Sequence, residues 1–201
     1  MTNNSNSIDV KSCLLCGVGG QGTVLASRII AGTAMDKGLH ARTAETIGMA
    51  QRGGSVVSHV RIGTDVASPM IPKGTADIIL GSEPGEAAAN LEYLKEGGTV
   101  IVCRNEIRPV TASLGKSGYK GEEAVKYLKE HVKKCYIIDA EAICSECGSP
   151  KVLNVALTGA LAACGAMDLT LNDIEKVLAK RLKPQLVEMN KKALQMGADR
   201  I

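Results

Sequence analysis

The stretch Cys16-Gly17-Val18-Gly19-Gly20-Gln21-Gly22 constrains the fold more than any other part of the chain. An apolar run, Cys13-Leu14-Leu15-Cys16, leads into it, and an apolar-periodic run with Val24, Leu25, Ile29 and Ile30 leaves it. That pattern is a strand, a tight glycine turn and a helix whose first-turn N–H groups lack intrahelical partners. Those N–H groups and the helix dipole point the same way, which suits an anionic or electron-rich ligand. Gly17, Gly19 and Gly22 fit G-x-G-x-x-G, the dinucleotide spacing. The same spacing serves a plain strand-to-helix turn with close helix–sheet packing, so it leaves both readings open.

The 201 residues suffice for one domain with a sizeable core and are too few for two. With no Phe, no Trp and four Tyr, that core must be aliphatic, and single-stranded nucleic acid finds no stacking platform. A net charge of +3 spread along the chain gives no nucleic-acid or membrane footprint. Residues 1–9 are polar, lack the apolar segment of an export signal and read as a frayed tail. Val152 to Met167 is too short to span a bilayer and is broken by Gly159 and Gly165. The expectation is a cytoplasmic protein whose seven cysteines are reduced thiols.

Strands are expected over Lys11–Cys16, His40–Glu45, Ser55–Ile62, Ala76–Leu80, Thr99–Cys103 and Cys135–Ile138. Helices are expected over Gly20–Lys37, Gly85–Lys95, Glu122–Lys133, Val152–Ala163, Asp173–Arg181 and Pro184–Met196. Asn172 with Glu175 resembles a capping box for the fifth of these. Strands alternating with helices predict an α/β fold: a Rossmann-like three-layer α/β/α domain over residues 1–201, with a mostly parallel sheet and a helical C-terminal part.

A second glycine-rich segment, Gly48 to Arg61, places Gly53-Gly54 beside Arg52, so that backbone could approach a ligand while a guanidinium forks onto an anion. A solvated turn before a strand gives the same pattern. In a dinucleotide site an acid ending the second strand would hold the ribose, and Glu45 is the candidate. Cys13, Cys16, Cys144 and Cys147 form two C-x-x-C pairs that could make a four-thiolate metal site. A strand, however, turns residues three apart to opposite faces, and no metal site is expected. Cys103, Cys135 and Cys164 read as small core residues, and His59 as a satisfied packing residue. The basic runs Lys116–Lys120 and Lys129–Lys134 read as solvated faces.

Gly17 to Gly22 followed by Glu45-Thr46-Ile47-Gly48-Met49-Ala50-Gln51-Arg52-Gly53-Gly54-Ser55 and on to Arg61 closely resembles the beta subunit of indolepyruvate ferredoxin oxidoreductase. More broadly, it resembles the gamma subunit of the 2-oxoacid:ferredoxin oxidoreductases. Asp77, Asn190, Ala193 and Gly197 extend the likeness through most of the chain. The resemblance implies oxidative decarboxylation of a 2-oxoacid to an acyl-CoA, with electrons passed to ferredoxin. It places thiamine diphosphate and [4Fe–4S] clusters on a larger partner subunit and no catalytic residue on this chain. The residues agree: there is neither a Gly-Asp-Gly thiamine segment nor a C-x2-C-x2-C-x3-C-P cluster run. The expected docking and coenzyme A-facing surface joins Gly17, Gly19, Gly20, Gln21 and Gly22 to Met49, Gln51, Arg52, Gly53, Gly54 and Ser55. Gln21 and Gln51 would supply amide hydrogen bonds and Arg52 would meet anions. A stand-alone NAD(P)-binding reductase and a non-catalytic assembly module are the alternatives.

Overall fold

The computed structural model describes residues 10–47, 53–107 and 118–201. The expected N-terminal tail, Met49, Gln51 and Arg52 lie outside them. Six strands form one sheet: β1 (Lys11–Val18), β2 (His40–Ile47), β3 (Ser55–Gly63), β4 (Ala76–Gly81), β5 (Leu94–Cys103) and β6 (Lys134–Ile138), in the order β2-β3-β1-β4-β5-β6. β1, β4, β5 and β6 are parallel neighbours, whereas β3 runs antiparallel to both β1 and β2. Five strands therefore point one way. The reversal of β3 brings its start, Ser55, opposite Val18 at the end of β1.

Among the described residues there are seven helices: α1 (Thr23–Asp36), α2 (Pro84–Ala89), α3 (Gly121–His131), α4 (Ala140–Cys147), α5 (Leu153–Ala163), α6 (Leu171–Arg181) and α7 (Pro184–Ala198). Alternation along each strand sorts the core into two faces. Cys13, Leu15, Val60, Ile78, Leu80 and Ile101 pack beneath α1, α4, α5 and α7. Leu14, Cys16, Ile79, Val100 and Val102 pack beneath α2 and α3. The expected three layers are present. α6 adds an outer course, with Ile174 and Leu178 meeting Ile29 of α1 and Leu194 of α7.

The helix expected over Gly85–Lys95 is shorter. α2 ends at Ala89, a 3-10 turn covers Leu91–Tyr93, and Leu94 already belongs to β5. Leu94 pairs with Ala76, while Ile78 pairs with Thr99, so β5 makes an irregular excursion that the helical spacing of Leu91 and Leu94 concealed. Both leucines pack on the α2–α3 face instead. The capping box is also displaced. Thr170 Oγ1 accepts from the Asp173 N–H at 3.2 Å, and Asp173 Oδ2 accepts from the Thr170 N–H at 3.1 Å, two residues before the expected pair. That start sets Ile174, Val177 and Leu178 on the buried face of α6. Lys37 bonds the same carboxylate at 2.9 Å and, with Thr170, holds its pKa down to about 2.

α5 and α7 meet backbone to backbone. A Cβ on Gly159 would stand 1.9 Å from the Leu194 carbonyl oxygen, and one on Gly197 would stand 1.8 Å from that of Ala156. Both obstructing atoms are backbone, which cannot swing aside as a side chain can. Gly159→Ala is expected to cost about 3 kcal/mol or more by overpacking, whereas Gly118→Ala, whose added carbon meets nothing within 4 Å, should be near neutral. Denaturant melts of the two variants check this.

Candidate functional site

The glycine turn between β1 and α1 sits at the carboxyl ends of β1 and β4, where the strand order reverses and open α/β sheets place ligands. The chain leaves β1 through Val18 and enters α1 at Gly22. Gly22 has φ 82°, and its carbonyl accepts the N–H groups of Leu25 and Ala26. A side chain there would be strained by that φ and would stand 2.4 Å from Asn154 Nδ2. Asn154, on α5, donates from that nitrogen to the Gly22 carbonyl at 3.1 Å. No side chain caps α1, so its first-turn N–H groups face the loop side.

Gln21 fastens the site. Its Oε1 accepts from the Val18 N–H at 2.7 Å and its Nε2 donates to the Ser82 carbonyl at 2.8 Å. The Ser82 N–H in turn donates to the Cys16 carbonyl at 2.8 Å. The amide expected to serve a ligand or partner is thus engaged at both atoms within the fold. Its role here is to tie the end of β1 to the end of β4.

The described end of the second glycine segment meets the turn. The Gly19 N–H donates to the Gly54 carbonyl at 2.9 Å, and Ser55 Oγ donates to Glu86 Oε2 at 2.5 Å. Ser55 is exposed, and Gly53 and Gly54 are half-buried. Glu83 and Glu86, at the start of α2, were not singled out from sequence. Glu83 is 2% exposed, accepts the Glu86 N–H at 2.9 Å on Oε2, and receives the Tyr119 hydroxyl on Oε1. That hydroxyl also accepts the Gly85 N–H at 3.1 Å. Burial first, then the bond to Glu83, pushes the Tyr119 pKa up. Burial also pushes the Glu86 carboxyl above its usual value; Glu83 nearby adds to this, while the Ser55 hydroxyl opposes it. In the sequence, Ser82-Glu83-Pro84 signals only a helix start, and Glu86 falls in that helix's first turn. Tyr119 gave none, because its partner lies 36 residues away.

Other expected residues are placed elsewhere. Glu45 is exposed on β2, and β3 separates β2 from β1; its neighbour in register is Ser58, followed by Leu15. Two strand spacings, about 10 Å, stand between Glu45 and β1, where a ribose-holding acid would sit on an adjacent strand. Cys13 and Cys16 are fully buried on opposite faces of the sheet, which rules out a four-thiolate site with Cys144 and Cys147. Burial raises both thiols. Among the described residues, no group of three or more His, Cys, Asp or Glu could hold a metal ion. The residues present do not fit an iron–sulfur cluster. His59 is buried edge-on to Tyr93, with ring centroids 5.8 Å apart, and its Nδ1 accepts the Ile71 N–H at 3.3 Å. Burial lowers its pKa, as a packed histidine requires. No helix among the described residues is long and apolar enough to cross a membrane.

Residues 12–200 match the family model described as pyruvate ferredoxin/flavodoxin oxidoreductase. The chain belongs to this family. It is 38% identical over 185 residues to the indolepyruvate oxidoreductase subunit IorB of Archaeoglobus fulgidus, covering 92% of each chain. The corresponding protein of Pyrococcus horikoshii is 37% identical over 186 residues, again covering 92% of each. Among solved structures, the gamma subunit of a keto/oxoacid ferredoxin oxidoreductase from Geobacter sulfurreducens superposes with a TM-score of 0.71 at 25% identity, over 96% of both chains.

Two outcomes follow for this family member. Gln21→Ala removes two internal hydrogen bonds and is expected to cost about 2 kcal/mol, read from urea unfolding. Glu86 should titrate above an ordinary glutamate, and Ser55→Ala should raise it further by removing the one interaction that favours the carboxylate. Because the folded pKa is raised, the contribution of Glu86 to stability is greatest below the glutamate range and declines as pH rises through the folded value. Carboxyl-carbon NMR titration of both proteins checks the order.

Proposed function

We propose that this chain is the small, cluster-free subunit of a 2-oxoacid:ferredoxin oxidoreductase of the indolepyruvate type, inactive alone. What supports this most is kinship over nearly the whole length of subunits named for that activity. The larger subunit would hold thiamine diphosphate for decarboxylation and the [4Fe–4S] clusters that carry electrons to ferredoxin. The burial of Cys13 and Cys16 on opposite faces supports leaving the clusters there. The complex would act in the cytoplasm, with the whole chain as one folded unit.

The role of this chain is to present a shaped surface. The turn at Gly17, Gly19, Gly20 and Gly22 and the segment Met49, Gln51, Arg52, Gly53, Gly54 and Ser55 would together dock on the larger subunit and enclose coenzyme A. The Gly19–Gly54 bond supports treating them as one surface. The uncapped α1 N-terminus suits a phosphate and Arg52 a second anionic group, with Gln51 supplying an amide. Gln21 would contribute rigidity. That internal use of Gln21 also favours a second reading, an assembly module that contacts partner protein and no small ligand.

Co-expression with a candidate large subunit, followed by a 2-oxoacid- and coenzyme A-dependent ferredoxin reduction assay, tests the proposal. Activity is expected to require this chain and to fall roughly tenfold or more on Arg52→Ala, with the complex intact and the KM for coenzyme A raised. An unchanged KM with weakened assembly favours the module. Full activity without the chain overturns both readings.

A further inference from the structure

β2 is an edge strand: β3 lies on one side of it, and among the described residues no strand pairs with the other. Its ladder with β3 is regular, running through eight register pairs from His40 with Gly63 to Ile47 with Val56 without a shift. The free edge therefore presents a straight row of alternate N–H and C=O groups, a template for one more strand. Soluble proteins blunt such edges with lysine, proline or a bulge. β2 carries none of the three. Its charges are also open. Arg42 and Glu45 are exposed and make no ion pair among the described residues. Arg42 stands opposite Arg61 of β3, so the sheet offers it a like charge and no carboxylate. Glu45 projects to the other face, opposite Ser58. At the start of the edge, on the α1 side, a pocket of about 280 Å³ is lined by Met35, Leu39 and Ala41, with Met35 62% exposed.

We propose that the free edge of β2 receives an extended strand of the larger catalytic subunit, and this rests on the functional reading above. Main-chain hydrogen bonds supply the affinity, and the side chains select the partner. The incoming strand carries a carboxylate opposite Arg42, a cation opposite Glu45 and an apolar side chain over the Met35 pocket. A second copy of this chain cannot supply these. Opposed residues of an antiparallel pair project to the same face, so a two-fold axis between two β2 strands pairs residues whose numbers sum to an even number. Arg42 then meets only His40, Arg42, Ala44 or Thr46, none of them acidic. Glu45 meets only Ala41, Thr43, Glu45 or Ile47, none of them basic. Centring the axis on Arg42 or Glu45 sets like charges directly opposite. The other edge of the sheet, β6, has no acid in Lys134–Ile138, so head-to-tail stacking of copies also leaves Arg42 without a carboxylate. The larger subunit is the occupant because β2 leads in sequence straight into Met49–Ser55, the segment that the functional reading assigns to that subunit.

Amide hydrogen exchange of the full chain, alone and bound to the separately purified large subunit, tests the strand addition. The outward-facing amides within residues 40–46 should exchange freely in the chain alone and slow roughly tenfold or more in the complex. Arg42→Glu and Glu45→Lys, both at exposed positions, are expected to keep the wild-type melting temperature and each to weaken subunit binding several-fold at low salt, less at high salt. Subunit binding that leaves the β2 amides exchanging as in the free chain overturns the strand addition while leaving the functional reading in place. Wild-type affinity in both charge variants does the same. A chain that dimerises alone in sedimentation, with the same amides protected, overturns it in favour of a second copy. A wild-type chain that fails to bind the large subunit overturns the functional reading and the strand addition together.

Discussion

The two hydrogen bonds of the Gln21 side chain hold the site end of this molecule together. One closes the turn on Val18 and the other reaches the Ser82 carbonyl, so the amide spans the point where the strand order reverses. In open α/β sheets that point is a crevice free for ligands. Here a short protein bridge crosses it, and everything around the bridge inherits its position: the uncapped start of α1 on one side and the Ser82–Glu86 segment on the other. The turn is a rigid platform because its most adaptable polar side chain is already committed.

The Ser82–Glu86 segment then gathers the neighbouring loops. Glu83 receives Tyr119, and Glu86 receives Ser55. Both are engaged here: Glu83 is buried and accepts a hydroxyl and an N–H, and Glu86 is pushed toward its neutral form. The acids act as fasteners for the loops around the turn.

The far side of the turn depends on the C-terminal helices. Asn154 reaches the Gly22 carbonyl only because α5 lies deep against α7, and that depth exists because Gly159 and Gly197 carry no side chain between the two backbones. A contact within the C-terminal helices therefore sets the start of α1, which lies more than a hundred residues earlier. The same arrangement places Asn154, Leu25 and Ile107 around one opening.

Much of this was legible in the chain. Local rules determined what they govern: the aliphatic core, the alternation that marks β1 and β3, the glycine turn, and a strand–helix rhythm that permits few folds. The long motif from Glu45 to Arg61 carried the family, since a run of that length is specific where G-x-G-x-x-G is not. Tertiary structure decided what depends on partners distant in sequence. Pairing placed β3 between β1 and β2 and so removed Glu45 from the turn, a choice invisible to periodicity because either order buries the same residues. It also turned Gln21 inward, because Ser82, 61 residues on, presents a carbonyl within reach. Tyr119, Asn154 and the paired glutamates were silent for the same reason. A hydrogen bond has no sequence signature until the sheet has brought its two ends together.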